Sequence, residues 1–341
     1  MVDIKSMSLK ELENYIESLG EKRFRAKQIY EWMHVKLIED FDEMTNISKS
    51  LRETLKENAS LCTMKIKEVQ TAEDGTQKFL FETYDGEFVE SVKMVYKHGI
   101  SVCISSQIGC RMGCTFCAST VGGLIRSLAA GEMLEQIYRI QRYTNERVHN
   151  VVVMGMGEPF DNYDELVKFL HMVSDENGLN ISGRNLTVST CGLCDKIREF
   201  AEEGFTCTLA LSLHASNQAT RERLMPIAKM YSFDEVLSAC DYYFEKTGRR
   251  VTFEYSMADG INDSDEDAEN LYRAVGKKNC HINLIPINPV RENGYKESEG
   301  QRIAAFKNKL EKYGINVTIR REMGRGIDAA CGQLRKRYKD V

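Results

Sequence analysis

From about residue 100 onward the chain alternates between two kinds of segment, and few architectures accept that pattern. Apolar, β-prone runs occur at SVCISS, NVVVM, NLTVS, TLALSL, VTFEY, INLIPI and NVTIR. Helix-like stretches lie between most of them, at 131–145, 163–176, 233–247, 264–278 and 300–313. Strands that alternate with helices imply a parallel sheet. Six or so such units favour a complete or partial TIM-type barrel over a doubly wound sheet, although periodicity alone does not separate the two. A chain of 341 residues holds a barrel-sized domain with a small addition.

The addition is N-terminal. Residues 1–60 read as helices: Ser8 with Glu11 makes a capping box, and Leu9, Leu12, Ile16 and Leu19 follow at helical spacing. Ser50 with Glu53 repeats the capping pattern before a third helix. Residues 62–97 change character. The runs KFLFET and EFVESVKMVY are bounded by Asp74-Gly75 and Asp85-Gly86, which are hairpin turn signals. The expected organisation is a helical accessory domain over 1–60, a β-hairpin adapter over 61–99, the barrel over 100–322 and a C-terminal segment over 323–341.

Composition narrows the setting. Hydrophobic residues make up 42%, enough for a sizeable core. No window approaches 18 uninterrupted apolar residues, so no membrane span is expected. The polar start MVDIKSMSLKELENYIE lacks the apolar stretch of a secretory signal, and the reading is a soluble cytoplasmic monomer. Eleven cysteines, an odd count, suit reduced thiols and metal ligands better than a disulfide framework. A net charge of −5 argues weakly against nucleic acid. The charge is uneven, however. Seven Lys or Arg stand against three Asp or Glu over 316–341, and Lys22, Arg23, Arg25 and Lys27 form a second basic group. Such patches can hold phosphate or simply be solvated surface.

The strongest local signal is Cys110-Arg-Met-Gly-Cys114-Thr-Phe-Cys117, a C-x3-C-x2-C loop just after a predicted strand. Thiolates are soft ligands suited to iron–sulfur clusters. Three of them hold three irons of a 4Fe–4S cube and leave the fourth open to chelate S-adenosylmethionine. The competing reading, a structural zinc site, needs a fourth ligand, and no nearby His or Cys has zinc-finger spacing. Other motifs fall at strand ends: Gly155-Met-Gly157-Glu158-Pro159, Ser189, Ser212-Leu213-His214 and Asn288. In a barrel that end gathers active-site groups. Taken singly, each could equally be a turn glycine, a strand-end hydroxyl or a core histidine.

These segments resemble the RlmN/Cfr family of radical-SAM adenine methyltransferases, nearly end to end. The resemblance rests on GEKRFRAKQIYEWMH, SSQIGCRMGCTFCAST, GMGEPFDNYD, SLHASNQATRERLMPI, LIPINP and RREMGRGIDAACGQLR, the last carrying the family's AACGQL signature. It implies a radical-SAM barrel, one 4Fe–4S cluster and two S-adenosylmethionine molecules per turnover. It also implies methylation at C2 of an adenosine in the peptidyl-transferase region of 23S rRNA and of an adenosine beside the anticodon of tRNA. The Cfr branch instead modifies C8 of the rRNA adenosine. Glu158-Pro159 and Ile285-Pro286 are more similar to the RlmN branch. Cys191 and Cys194 depart from the pattern, and a buried structural role or a second metal site are the two readings of them.

The resemblance assigns residues as well. Cys331 takes a methyl group from one S-adenosylmethionine, a 5′-deoxyadenosyl radical from the second abstracts hydrogen from that methyl, and the methylene radical adds to C2. Cys103 matches the resolving cysteine, which removes the C2 proton and leaves a disulfide with Cys331. Glu90 aligns with a proton acceptor, against the alternative of an edge-strand carboxylate facing water. Gly157, Glu158, Ser189, Ser212, Leu213, His214 and Asn288 align with S-adenosylmethionine contacts. The implied partners are the two RNAs, with the target base unstacked, and an electron donor such as flavodoxin or ferredoxin. Two rivals remain from sequence: a radical-SAM activase or maturase, and a non-catalytic RNA-binding protein with a structural metal.

Overall fold

The computed structural model describes residues 1–334 except 98, 277, 289, 291–293, 322 and 325. The basic tail over 335–341 therefore lies outside the described residues.

The chain opens with β1 (Val2–Asp3), α1 (Leu9–Ser18), α2 (Phe24–His34), α3 (Lys49–Asn58) and β2 (Ala59–Ser60), with β1 and β2 paired in parallel. The Ser8–Glu11 capping box is formed. The cap of α3 is Ser48, whose hydroxyl accepts from the Leu51 N–H at 3.2 Å, and not Ser50, which lies inside the first turn. This unit has its own core, built from Leu12 and Ile16 of α1, Ile29 and Met33 of α2, and Leu51 and Leu55 of α3. It docks through α2. His34 Nδ1 lies 2.7 Å from the Tyr138 hydroxyl, and Tyr30 donates to Asp175 at 3.1 Å.

Three antiparallel strands follow: β3 (Lys65–Thr71), β4 (Gln77–Glu82) and β5 (Phe88–Tyr96). Their turns fall at the two Asp-Gly pairs, where Gly75 and Gly86 take φ of +83° and +77°. The run over 65–71, KIKEVQT, has no clear apolar alternation and its strand is unmarked in sequence.

Then comes β6 (Gly99–Ile104), a short hairpin of β7 (Gln107–Gly109) and β8 (Leu124–Ser127), and α4 (Ala130–Thr144). Five further strand–helix units and a last strand follow: β9 (Val148–Val153), α5 (Tyr163–Ser174), β10 (Leu186–Thr190), α6 (Cys194–Glu202), β11 (Thr208–Ser212), α7 (Gln218–Leu224), α8 (Phe233–Thr247), β12 (Val251–Met257), α9 (Asp265–Val275), β13 (Cys280–Pro286), α10 (Gly300–Lys312) and β14 (Asn316–Ile319). The sheet order is β14-β13-β12-β11-β10-β9-β6-β5-β4-β3. Neighbours from β6 to β14 are parallel. This is an α/β partial barrel, left open because β14 and β3 are both edges. The antiparallel strands extend the same sheet, so the adapter and barrel share one layer.

Alternation gives the faces. Val151 and Val153 of β9, Val188 of β10, and Leu209 and Leu211 of β11 are buried together with Leu166 and Phe169 of α5 and Phe200 of α6. Each fully buried Leu or Phe contributes about 1.5–3 kcal/mol. No helix among the described residues is long and apolar enough to cross a membrane.

Candidate functional site

The C-terminal ends of the parallel strands open into a single cleft of about 1040 Å³, continuous with solvent. Its walls hold Cys110, Cys114 and Cys117 on one side and Cys331 on another, with Gly157, Glu158, Ser189, Ser212, His214 and Asn288 between them. Of the residues read as S-adenosylmethionine contacts, Leu213 alone is not in the lining: its side chain is in the core and only its backbone faces the strand ends, where its N–H donates to the Glu254 carbonyl at 3.0 Å.

The cysteine loop is held by backbone. Gly109, at φ +77°, enters it where a Cβ would stand 2.0 Å from the Gly123 carbonyl, so only glycine fits. The Thr115 N–H donates to the Leu224 carbonyl at 2.9 Å and the Cys117 N–H to the Cys114 carbonyl at 3.1 Å. Burial pushes the Cys110 thiol up to about 12 and raises Cys114 as well. A bound metal overrides that preference by deprotonating its thiol ligands outright.

Gly157 has φ +101°, and a Cβ there would meet Gln107 at 2.6 Å. That close approach turns the chain so that Glu158 points inward. Its carboxylate accepts from the Phe160 N–H at 3.1 Å and the Cys191 N–H at 2.7 Å, while burial raises its pKa. His214 sits at φ +53°, unusual for a residue with a Cβ. Its Nδ1 accepts from the Ser256 N–H at 3.0 Å, and its ring meets Phe116 edge-on at 4.9 Å. Burial depresses its pKa to about 3, so it is a neutral imidazole with Nε2 as donor.

The C-terminal segment folds back onto the cysteine loop. The Ala118 N–H donates to the Gly332 carbonyl at 2.7 Å, Ser119 Oγ to the Leu334 carbonyl at 2.8 Å, and Asn288 Nδ2 to the Cys331 carbonyl at 3.1 Å. Those bonds hold Cys331, half-buried, in the cleft wall. Behind it lies a second, smaller cavity, shared with Cys103, Arg320, Met94 and Met323. Burial pushes the Cys103 thiol up to about 12, and the neighbouring Cys331 charge adds to that while Arg320 opposes it.

One reading changes, one narrows and one residue is added. Glu90 is not a water-facing edge carboxylate: β5 is paired on both sides, and Glu90 is buried with Lys78 Nζ 3.4 Å from its carboxylate. It lines neither cavity. Cys191, far in sequence from the cysteine loop, joins the cleft and packs against Cys114, whereas Cys194 is buried at the start of α6. Among the described residues, no three His, Cys, Asp or Glu converge on a single-ion site, the loop cysteines included. Arg320 was missed as a site residue. It follows β14 as Asn288 follows β13, so the strand-end rule applied one strand further finds it.

The loop cysteines fit an iron–sulfur cluster. They ring a cleft rather than a point, and a buried cation stands behind them. Arg221 is fully buried and donates from Nη2 to the Cys191 carbonyl at 2.6 Å, while its Nε and Nη1 have no partner among the described residues. An unpaired buried guanidinium is costly, and a thiolate-ligated cluster offers it negative charge.

Sequence comparison agrees with this layout. Residues 2–61 match the Ribosomal RNA large subunit methyltransferase N-terminal domain, and residues 104–272 match the Radical SAM superfamily. A probable dual-specificity RNA methyltransferase RlmN of Lachnoclostridium phytofermentans is 59% identical over 99% of this chain and 96% of its own length. The chain belongs to the RlmN family of radical SAM methyltransferases. A second RlmN-family relative, from Lachnospira eligens, is 58% identical over 100% of this chain and 97% of its own. The crystal structure of a radical SAM methyltransferase from Sphaerobacter thermophilus superposes with a TM-score of 0.95 at 41% identity, covering 99% of this chain and all of that one. Radical SAM family membership brings with it a 4Fe–4S cluster and S-adenosylmethionine.

Proposed function

We propose that this chain methylates C2 of an adenosine in the peptidyl-transferase region of 23S rRNA, and of an anticodon-adjacent adenosine in tRNA, through a methyl group carried on Cys331. The observation that carries the proposal is the position of Cys331 in the wall between two cavities, one lined by the cluster cysteines and the other by Cys103. A methyl carrier needs access to a donor on one side and an acceptor on the other. A radical-SAM activase or maturase has no use for that pair of thiols, and a passive RNA binder has no use for either cavity.

A 4Fe–4S cluster on Cys110, Cys114 and Cys117 supplies, when reduced, the electron that cleaves S-adenosylmethionine. Glu158, Ser189, Ser212, His214 and Asn288, with the backbones of Gly157 and Leu213, hold that substrate through a carboxylate, hydroxyls, a neutral imidazole and an amide. Two S-adenosylmethionine molecules are consumed, one to methylate Cys331 and one for the radical step. Cys103 then accepts the C2 proton. Its sulfur bonds to the Cys331 sulfur as the bond from that sulfur to the transferred carbon breaks; that carbon takes up a proton to become the methyl group, the one electron left over from the radical addition returns to the one-electron carrier that supplied it, and a disulfide remains for a cellular thiol to reduce. Glu90, two residues along β5 from the Val92 that pairs with Cys103, takes the proton onward. Lys22, Arg23, Arg25 and Lys27 and the basic tail hold RNA phosphates, and a flavodoxin or ferredoxin delivers electrons.

The test is anaerobic incubation with S-adenosylmethionine, a reductant and a 23S rRNA fragment or tRNA, followed by nucleoside mass analysis. The expected product is 2-methyladenosine in both RNAs, with a methylated Cys331 peptide in the enzyme before RNA is added. 8-Methyladenosine would move the assignment to the C8 reaction. An absence of methyladenosine in either RNA contradicts the proposal.

A further inference from the structure

Arg221 belongs to none of the groups that the reaction uses directly. It lies in α7, behind the Cys191–Gly192 turn, and does not line the cleft. The fold builds a slot for it. Gly192 takes φ +103°, and a Cβ there would stand 3.0 Å from Arg221 Nη2 and 3.2 Å from the Val236 methyls. A glycine at that turn therefore lets the guanidinium reach the Cys191 carbonyl, 2.6 Å from Nη2. One turn further along α7, the Leu224 carbonyl accepts from the Thr115 N–H of the cysteine loop, and Leu224 and Met225 pack with Cys114 and Cys191. The same helix braces the loop and carries the charge behind it.

That charge is not balanced by the side chains around it. Arg221 is fully buried, and its Nε and Nη1 have no partner among the described residues. The acidic groups that act on it most are thiols, Cys191 and Cys114 foremost and then Cys194 and Cys240. At neutral pH a thiol ordinarily keeps its proton and offers a cation no counter-charge. A metal-bound thiol is deprotonated outright and does offer one. A buried cation left unpaired costs several kcal/mol, so its retention behind a thiol-lined cleft calls for a negative partner on the cleft side.

We infer that the buried charge of Arg221 sets the reduction potential of the cluster site, raising it so that a one-electron carrier can load the site. The inference rests on the reading of Cys110, Cys114 and Cys117 as cluster ligands. Reduction moves one electron from the external carrier to the site, and no bond forms or breaks in that step. The added charge is negative, so a fixed cation nearby stabilises the reduced state more than the oxidised one. The dry interior between α7 and the cleft screens this attraction far less than water does. Cluster potentials respond to the net charge and hydrogen bonding around them. Arg221 touches neither the loop sulfurs nor the cleft, and acts on them through space and through the Cys191 peptide.

The experiment is an anaerobic redox titration of the reconstituted holoenzyme, followed by electron paramagnetic resonance, without RNA or S-adenosylmethionine. It compares the wild type with Arg221→Gln, Arg221→Met and Arg221→Lys at equal iron content. Loss of the charge should lower the equilibrium constant for reduction by about tenfold or more, a fall in midpoint of about 60 mV for one electron, whereas Arg221→Lys should stay within about threefold of the wild type. Urea unfolding of the apo chains is the second measurement. Arg221→Met deletes a buried charge that the apo protein leaves unbalanced, so its midpoint should equal or exceed that of the wild type. Unchanged potentials in both neutral variants overturn the inference. So does an Arg221→Lys enzyme that falls as far as Arg221→Gln, which assigns the effect to shape rather than charge. An apo Arg221→Met chain that unfolds earlier than the wild type, or does not fold, overturns it too, because the protein alone then satisfies Arg221. Neutral variants that fold but take up no iron, beside an Arg221→Lys that does, support the role of charge. Loss of iron from all three assigns Arg221 to holding the Cys191 turn and overturns it. Failure of the cluster reading looks different: the wild type itself then holds no cluster iron and gives no resonance on reduction.

Discussion

Cys110 and Cys114 are buried and Cys117 half-buried, and each thiol on its own prefers to keep its proton. On the proposed ligand set, replacing any one by Ala removes one of three thiolates with no spare of its own spacing. Each single variant should lose cluster iron and 5′-deoxyadenosine formation while the far-ultraviolet spectrum stays native. Iron analysis and product chromatography check this, and a variant that cleaves S-adenosylmethionine at the normal rate would refute the ligand set. The same residue scale shows what sequence could reveal. Strand-end position identified Glu158, Ser189, Ser212, His214 and Asn288, because an apolar run followed by polar residues marks where a barrel strand leaves the core. It did not by itself place the Leu213 side chain, which continues the inward alternation of Leu209 and Leu211 just past the end of β11. Nor could it reveal the Lys78 partner that lets Glu90 be buried, since that pairing depends on register between two strands.

At the scale of elements, the N-terminal helices are fastened to α4 by buried polar groups. Lys5, fully buried, donates to Glu135 at 2.6 Å, and Arg139 shares the same carboxylate. Breaking a buried pair costs roughly 3–5 kcal/mol. Because Arg139 remains to balance Glu135, Lys5→Ala should cost about 3 kcal/mol, the low end of that range. Urea unfolding checks it, and a loss under about 1 kcal/mol would show the pair to be dispensable. His34 gives a pH signature. Burial holds its pKa near 3 in the folded chain, against about 6.5 when unfolded. Below about pH 6.5 the unfolded state takes a proton that the folded state refuses, so stability falls as pH falls. Between pH 7.5 and 5 the wild type should lose about 2 kcal/mol relative to His34→Asn. Parallel unfolding curves of the two proteins at both pH values measure the difference, and a difference independent of pH would contradict a buried neutral His34. The elements themselves were largely legible, since helical spacing and Asp-Gly turns are local signals. The cap at Ser48 was displaced by two residues because Ser48 and Ser50 are equally good caps, and packing of Leu51 and Leu55 decides between them. The helices α6 and α7 are short and went unread for want of a full periodic window.

At the scale of the whole molecule, the open barrel brings together groups from distant parts of the chain. Cys103 lies one residue before the end of β6, the cysteine loop follows β7, and Cys331 returns from beyond β14 to line the cleft at the strand ends. The strand–helix alternation made the barrel legible. The meeting of Cys103 with Cys331 was known only through resemblance, because no local pattern encodes a contact set by bonds from the Ala118 N–H, the Ser119 hydroxyl and the Asn288 amide to carbonyls of the C-terminal segment. The central claim is that Cys331 carries the transferred carbon and Cys103 releases it. Cys103→Ala leaves the cluster ligands and Cys331 intact, and removes only the group that takes the proton and displaces sulfur. Denaturing electrophoresis of Cys103→Ala after incubation with S-adenosylmethionine, reductant and RNA, followed by nuclease digestion and mass analysis, tests the claim most directly. The predicted result is a protein–RNA adduct that survives denaturant, joined at Cys331 through a carbon–sulfur bond and absent from the Cys103→Ala/Cys331→Ala double variant. Normal turnover by Cys103→Ala with no nucleotide attached would contradict it.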